Sequence, residues 1–309
     1  MAAPLQEKHL HEFSFSVFGG LSKIVLYHDH QLDAAEIEES LKDDILGFQA
    51  KYSRYDSNSV VSQINASSGN QSVKLDDEAS SLLDYAFTAY QQSNGLFDVT
   101  SGVLRKVWDF SADRVPSSNE LREILPLIGL SKVKWEKPIV QLPLAGMEID
   151  FGGFGKEYAV DRAASFLLEK GITNGMLNFS GDIRVLGPKP DGTPWKIGVT
   201  HPRKEQDVVG HITVHQGAVA TSGDYERYIE VEGKRYCHIL NPKTGWPVSD
   251  LQSVTVVSQA CLLAGTFSTI AMLYGEKKGK RLLADASLQH VMVNHQGKVR
   301  AFPSRGFCT

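Results

Sequence analysis

Asp150-Phe151-Gly152-Gly153-Phe154-Gly155-Lys156-Glu157-Tyr158-Ala159-Val160-Asp161 reads as a glycine-rich turn that runs straight into a helix. Three glycines in four positions let backbone N–H groups crowd a ligand, and the helix behind them adds the positive end of its dipole. Such a junction suits an anion. The helix is read from Val160, Ala163, Ala164, Leu167 and Leu168, spaced i, i+3, i+4, i+7, i+8, with Gly171 as its C-cap. Lys156 opposes the dipole at the start of this helix, a cost that a bound phosphate would offset. Taken alone, the same residues would serve as a tight turn between a strand, Met147 to Phe151, and a helix.

Upstream, near-alternation from Glu12 to Tyr27 predicts a hairpin turned at Gly19-Gly20. Helices are expected over Leu32 to Tyr52, in a short piece after Ser57 to Ser59, and over Asp77 to Asn94 with Gly95 as its stop. Asp98, beside Phe97 in the loop after Gly95, is by type more often a helix cap than a ligand contact. Ser117 or Ser118 caps a further helix.

Downstream, Gly175 to Ser180 and Ile183 to Leu186 read as two strands joined at Gly181-Asp182. More strands follow at Lys196 to Thr200, Gly210 to Val214, Tyr228 to Val231, Tyr236 to Leu240 and Ser253 to Ser258. Helices at Gln259 to Tyr274 and Lys278 to Ala286, and strands at Gln289 to Asn294 and Val299 to Phe302, close the chain. With no internal repeat and no low-complexity linker, the pattern is α+β: antiparallel sheet with packed helices, in one compact unit or two lobes.

The 309 residues can bury a large core, and 22% charged with 42% hydrophobic residues is an ordinary globular balance. A net charge of −4 without a basic arm argues against nucleic acid as a partner. Cys237, Cys261 and Cys308 are odd in number and far apart, so they form neither a disulfide framework nor a paired metal motif. The first residues show no charged segment followed by an apolar one, and no run is apolar enough to span a bilayer. A cytoplasmic protein is therefore expected, with an exported protein lacking its signal as the alternative. A P-loop GxxxxGK[ST], a GxGxxG fingerprint and a GxSxG elbow are all missing from the sequence.

Seven blocks taken together resemble the ApbE family of FAD:protein FMN transferases. They are Phe18-Gly19-Gly20, Tyr52 to Tyr55, Gly95 to Thr100, Asp150 to Asp161, Asn178 to Asp182, Ala220 to Arg227 and His238 to Gly245, all in the family's order. The resemblance implies a T-fold-like domain over residues 13–303, flanked by tails at 1–12 and 304–309. It also implies binding of FAD with a divalent metal, usually magnesium, and transfer of FMN from FAD to a threonine or serine hydroxyl of a target flavoprotein, releasing AMP. By the same resemblance FAD would touch Phe18, Tyr55, Leu96, Phe97, Asp98, Asp150, Lys156 and Ile239. His238 would be the general base, and the metal would be held by the Gly153 carbonyl and by an Asp and a Thr one turn apart on the late helix.

The Thr is present as Thr269, but the Asp position is Gly265. That removes the one formal negative charge from the inferred metal shell, and magnesium usually takes a carboxylate. Two milder departures are Phe18 with Gly20 in place of Met and Thr, and Asn241 in place of an Asp. Two expectations follow. Either another carboxylate, Asp224 or Asp250, completes the site of an active transferase, or the chain is a catalytically impaired FAD-binding protein, a carrier, sensor or assembly factor.

Overall fold

The computed structural model describes residues 8–112, 114–204, 206–302 and 307–308. Its centre is an eight-stranded antiparallel sheet whose spatial order follows the chain: β1 His9–Val17, β2 Gly20–His28, β3 Asn174–Phe179, β4 Asp182–Gly187, β5 Gly217–Gly223, β6 Leu251–Ser258, β7 Gln289–Asn294 and β8 Val299–Phe302. The connection from β2 to β3 carries α1 Ala34–Tyr52, α2 Asp77–Gln92 and α3 Gly155–Glu169, and β6 leads into α4 Cys261–Asp285. The first strand begins at His9, inside the stretch expected as a tail, and Phe307–Cys308 pairs with His211 and Ile212 beyond the expected end of the domain.

Strand periodicity explains the layering, because successive side chains point to opposite faces of a sheet. Ile24 and Leu26 on β2, and Ala218 and Ala220 on β5, face the helices and share the main core with Leu41, Leu82, Leu83, Phe154 and Leu167. Val25, Ile183, Val185 and Val219 face the other way, onto the small sheet formed by Trp195–Thr200 and Val208–Val214. A third, smaller core gathers Val103, Leu104, Trp108, Leu121 and Ile128 under the hairpin strand Tyr228–Val231 through Ile229.

Most expected elements are present with shifted ends, and the differences have identifiable causes. Both hairpins turn one residue earlier than expected, at Phe18–Gly19 and Ser180–Gly181, because both residues of each pair take positive φ (54° and 78°, 51° and 96°). That is the primed geometry that a two-residue loop needs to match strand twist. Met147 to Phe151 runs extended but joins no sheet. The Ile149 N–H donates to Asn65 Oδ1 at 2.7 Å, the Ile149 carbonyl accepts from Asn65 Nδ2 at 3.0 Å, and the Asp150 N–H donates to the Val99 carbonyl, so a side chain and a loop take the place of a strand partner. The two late helices are present as expected: α4 is interrupted at Gly275, whose backbone is non-helical (φ 75°, ψ 179°), and continues as a second helical stretch. The central strand β5 was not foreseen, since Gly217–Gly223 is small and polar; it is held by β4 and β6 on either side. Leu168 lies at the edge of its stripe and is exposed.

The tips of the two primed hairpins touch. A Cβ at Gly20 would lie 2.1 Å from Ser180 Oγ and 3.0 Å from Ser180 Cβ. Gly20→Ala is therefore expected to cost roughly 1–3 kcal/mol through overpacking. Gly20→Ala combined with Ser180→Gly should recover most of the loss in a denaturation double-mutant cycle, and strictly additive effects would refute the contact.

Candidate active site

The glycine turn delivers α3 onto α4 along a seam of acids. Asp161 accepts hydrogen bonds from the N–H groups of Cys261 and Leu262, both at 2.8 Å, and so caps the start of α4 from a neighbouring helix. Glu157 lies one turn earlier on α3 and Gly265 one turn later on α4, so the helices run antiparallel here and the two positions face each other. A Cβ at residue 265 would lie 2.4 Å from Glu157 Oε1 and 2.8 Å from its carboxyl carbon. Glu157 thus occupies the volume that a side chain at 265 would claim. The residue is 9% exposed, and no other described residue donates a hydrogen bond to its carboxylate. Burial, reinforced by the charge of Asp182, pushes its pKa up to about 8.

On the same face of α4, Thr269 Oγ1 lies 2.8 Å from Ser222 Oγ on β5, which also lies 2.7 Å from Ser268 Oγ. Ser268 donates to the Gly265 carbonyl at 2.9 Å. Two hydroxyls of α4 and one of β5 therefore cluster on the face of the helix that carries Gly265. Among the described residues no hydrogen bond ends on the carbonyl of Gly153.

Lys156 points the other way, toward the hairpin tips. Its ammonium is 2.7 Å from Asp182, the first residue of β4, and 3.5 Å from the Ser180 carbonyl. The dipole cost of a lysine at a helix start is thus offset within the protein. Burial disfavours the lysine charge, but Asp182 and Glu157 outweigh it and hold its pKa above the ordinary value. Burial lifts the Asp182 carboxyl as well, despite the lysine. One cation serves two buried acids.

His238 stands nearby, at the end of the hairpin Tyr228–Val231 and Lys234–Cys237. Its Nδ1 lies 3.2 Å from the Arg227 carbonyl, which can only accept, so Nδ1 carries the hydrogen and Nε2 is left with a free lone pair. Burial pulls its pKa below the usual histidine value, and the charges of Arg227 and Lys156 act in the same direction. The Arg227 guanidinium also reaches the Phe18–Gly19 turn, where a Cβ at Gly19 would be 3.8 Å from it.

A third group frames the start of the glycine turn. Asp150 accepts from the Gly152 N–H at 2.9 Å and pairs with Arg54 at 2.5 Å. Arg54 in turn reaches the Tyr55 hydroxyl at 3.0 Å and stacks against its ring at 5.1 Å. Tyr55 is 79% exposed, a large flat ring left uncovered beside the site. Phe97 is buried beneath Gly153, with Cζ 3.5 Å from where a Cβ there would be. Phe18 packs between Phe48 and Phe179.

Not every expected residue offers its side chain. Both Asp98 oxygens are engaged inside the fold, by Thr100 N–H and Oγ1 at 2.8 and 2.6 Å and by the Leu130 N–H at 3.1 Å. Asp98 is the N-cap that shapes its loop. Ile239 is buried, and Leu96 is half-buried on a loop tied to the His238 loop by a 2.8 Å bond from Lys243 to the Asn94 carbonyl. Of the acids considered as substitutes for the missing carboxylate, Asp224 is clamped by Arg203 at 2.7 and 2.6 Å. Asp250 lies against Gly275, ten residues further along α4, about 15 Å from Gly265 at helical rise. Asp224 is spent on Arg203 and Asp250 lies too far along α4, whereas Glu157 lies against residue 265. Glu157, Asp182, Arg227 and Arg54 are not marked as site residues by sequence pattern, although all four stand inside the seven blocks. A recess of about 470 Å³ between Asp44, Tyr158, Arg162 and Glu169 is a weaker candidate, since Arg162 is already paired with Asp44 and Glu78.

An antiparallel sheet with helices on one face, and a glycine turn that aims a helix start at two hairpin tips, defines the class. The chain belongs to the ApbE family, whose model it matches over residues 18–293. It is 32% identical over 234 residues to the FAD:protein FMN transferase of Vibrio cholerae, covering 74% of this chain and 70% of that protein. The Haemophilus influenzae protein of the same name is 30% identical over 255 residues, covering 79% and 72%. Among solved structures, the ApbE protein of Thermotoga maritima superposes with a TM-score of 0.88 at 34% identity, covering 96% of this chain and 98% of that one. The Vibrio cholerae flavin transferase superposes with a TM-score of 0.86 at 26% identity, covering 96% and 98%. No helix among the described residues is long and apolar enough to cross a membrane.

Proposed function

We propose that this chain transfers FMN from FAD to a threonine or serine hydroxyl of a target flavoprotein, releasing AMP, with the help of a divalent cation such as magnesium. The observation that carries the reading is the start of α3, which has no side-chain cap, with Lys156 in its first turn, the neutral His238 near enough to feel that lysine's charge, and the Arg227 guanidinium against the Phe18–Gly19 turn. A pyrophosphate would meet N–H groups, a helix dipole and two cations there. The exposed Tyr55 ring, backed by Arg54, suits a flat aromatic ligand.

In this reading His238 Nε2 accepts the proton of the attacking hydroxyl. The oxygen bonds to the phosphorus of the FMN half, the pyrophosphate P–O bond breaks, and AMP leaves. Lys156 and Arg227 would hold the phosphates and balance charge spread onto the leaving group. A divalent cation, when bound, would add further charge neutralisation there; Gly153, Thr269 and one carboxylate are suited to hold it. Phe18, Leu96, Phe97, Asp98, Asp150 and Ile239 build the walls, Asp98 by fixing its loop.

Incubation with FAD, magnesium and a flavoprotein carrying an acceptor threonine should yield AMP and a flavin that survives denaturation of the target. AMP-free mixtures with FAD still bound would favour the second reading, an FAD carrier. That alternative rests on Gly265, and the buried Glu157 carboxylate beside Gly265 weakens it.

A further inference from the structure

We infer that Glu157 supplies the carboxylate of a divalent-cation site that faces Gly265, with Thr269 and the Gly153 carbonyl as its other protein oxygens; this rests on the flavin-transferase reading. The first ground is steric. Glu157 fills the space over residue 265, and only glycine leaves that space open, because a Cβ would come within 2.4 Å of Oε1. Gly265 is therefore no bare loss of an acid but the condition for bringing one in from α3.

The second ground is that, among the described residues, no other side chain or backbone group bonds the carboxylate, which is left with its own backbone N–H. It is nine-tenths buried, and the charged groups that act on it are two acids, Asp182 and Asp161, and one cation, Lys156. Buried charged groups are ordinarily paired or bound to a metal. The single ammonium present, Lys156, is already committed to Asp182 at 2.7 Å. Two buried acids thus share the neighbourhood of one ammonium, and a bound cation would favour the ionised form of Glu157. Hard oxygen donors of this kind, a carboxylate, a hydroxyl and a carbonyl, suit magnesium or manganese rather than a soft metal. No cluster of three or more acid, histidine or cysteine side chains that could hold a metal occurs among the described residues, so the site would need one carboxylate plus neutral oxygens and the ligand's own phosphates.

Mn²⁺ is the probe, followed by electron paramagnetic resonance in the presence of FAD, with FAD binding measured separately in EDTA. Glu157→Gln keeps the shape and removes the charge. It should weaken Mn²⁺ binding by tenfold or more while FAD affinity in EDTA stays within about threefold. The exchange Glu157→Gly with Gly265→Asp should restore Mn²⁺ affinity to within a few-fold of the starting protein. It also decides the matter should Glu157→Gln fail to fold. Unchanged Mn²⁺ affinity in Glu157→Gln, or a folded exchange variant that binds Mn²⁺ no better than Glu157→Gln, would overturn the inference. A starting protein that binds FAD but not Mn²⁺ overturns it while leaving the flavin reading in place; one that binds neither overturns both.

Discussion

Replacing His238 with glutamine is expected to slow FMN transfer by about 10²- to 10⁴-fold, the range typical of losing a positioned general base. FAD affinity should change only a few-fold, since in the proposed mechanism the side chain would meet the hydroxyl to be activated rather than the phosphates. The pH profile sharpens the expectation. Protonation abolishes the base, so the rate must fall as pH drops through the folded-state pKa of His238. Burial and two nearby cations hold that value below the ordinary 6.5, so the acid limb should lie below it too. Single-turnover flavinylation between pH 5 and 8 reads both effects. A variant that retains the rate, or retains the limb, would remove His238 from this role.

Lys156→Met is expected to cost stability as well as ligand affinity. The lysine pairs with Asp182, whose side chain is 5% exposed, and its charge also acts on Glu157. Stripping one partner from a buried pair typically costs about 3–5 kcal/mol. The sign of the pH dependence follows from the direction of the shifts. Both carboxyls have folded-state pKa values raised above their ordinary ones, and losing the lysine raises them further. The native state then binds more protons than the unfolded chain, so stability falls as pH rises from about 5 to 8. Urea denaturation should show a deficit that is largest at pH 8 and shrinks toward pH 5. A deficit independent of pH would mean that the two acids do not share the lysine.

The elements around the glycine turn were legible because their signals are local. Asp33, Ser59, Asp76 and Ser117 each cap the helix that follows them, and Gly95 and Gly171 take the positive φ of a helix stop. What escaped depends on contacts between distant segments. Strand β5 has no apolar alternation to announce it and exists through its partners. The extended run before Asp150 is held by Asn65, more than 80 residues earlier.

The site divides along the same line. Residue types and order pointed to Lys156, His238 and Thr269, but nothing in the one-dimensional pattern says that Asp182 will meet Lys156 or that Asp224 is spent on Arg203. Asp98 shows the converse. A residue that resembles a ligand contact by position is, by its bonds, a cap.

The shared volume at residues 157 and 265 also restricts the routes by which such a chain can change. An acid at both positions would press two carboxylates into one space, and an acid at neither would leave Thr269 without a charged neighbour on that face. Sequences that move the acid from one helix to the other must pass through one of these two poor intermediates or change both codons together. A search keyed to the late-helix position alone would then discard proteins in which the charge has only changed address.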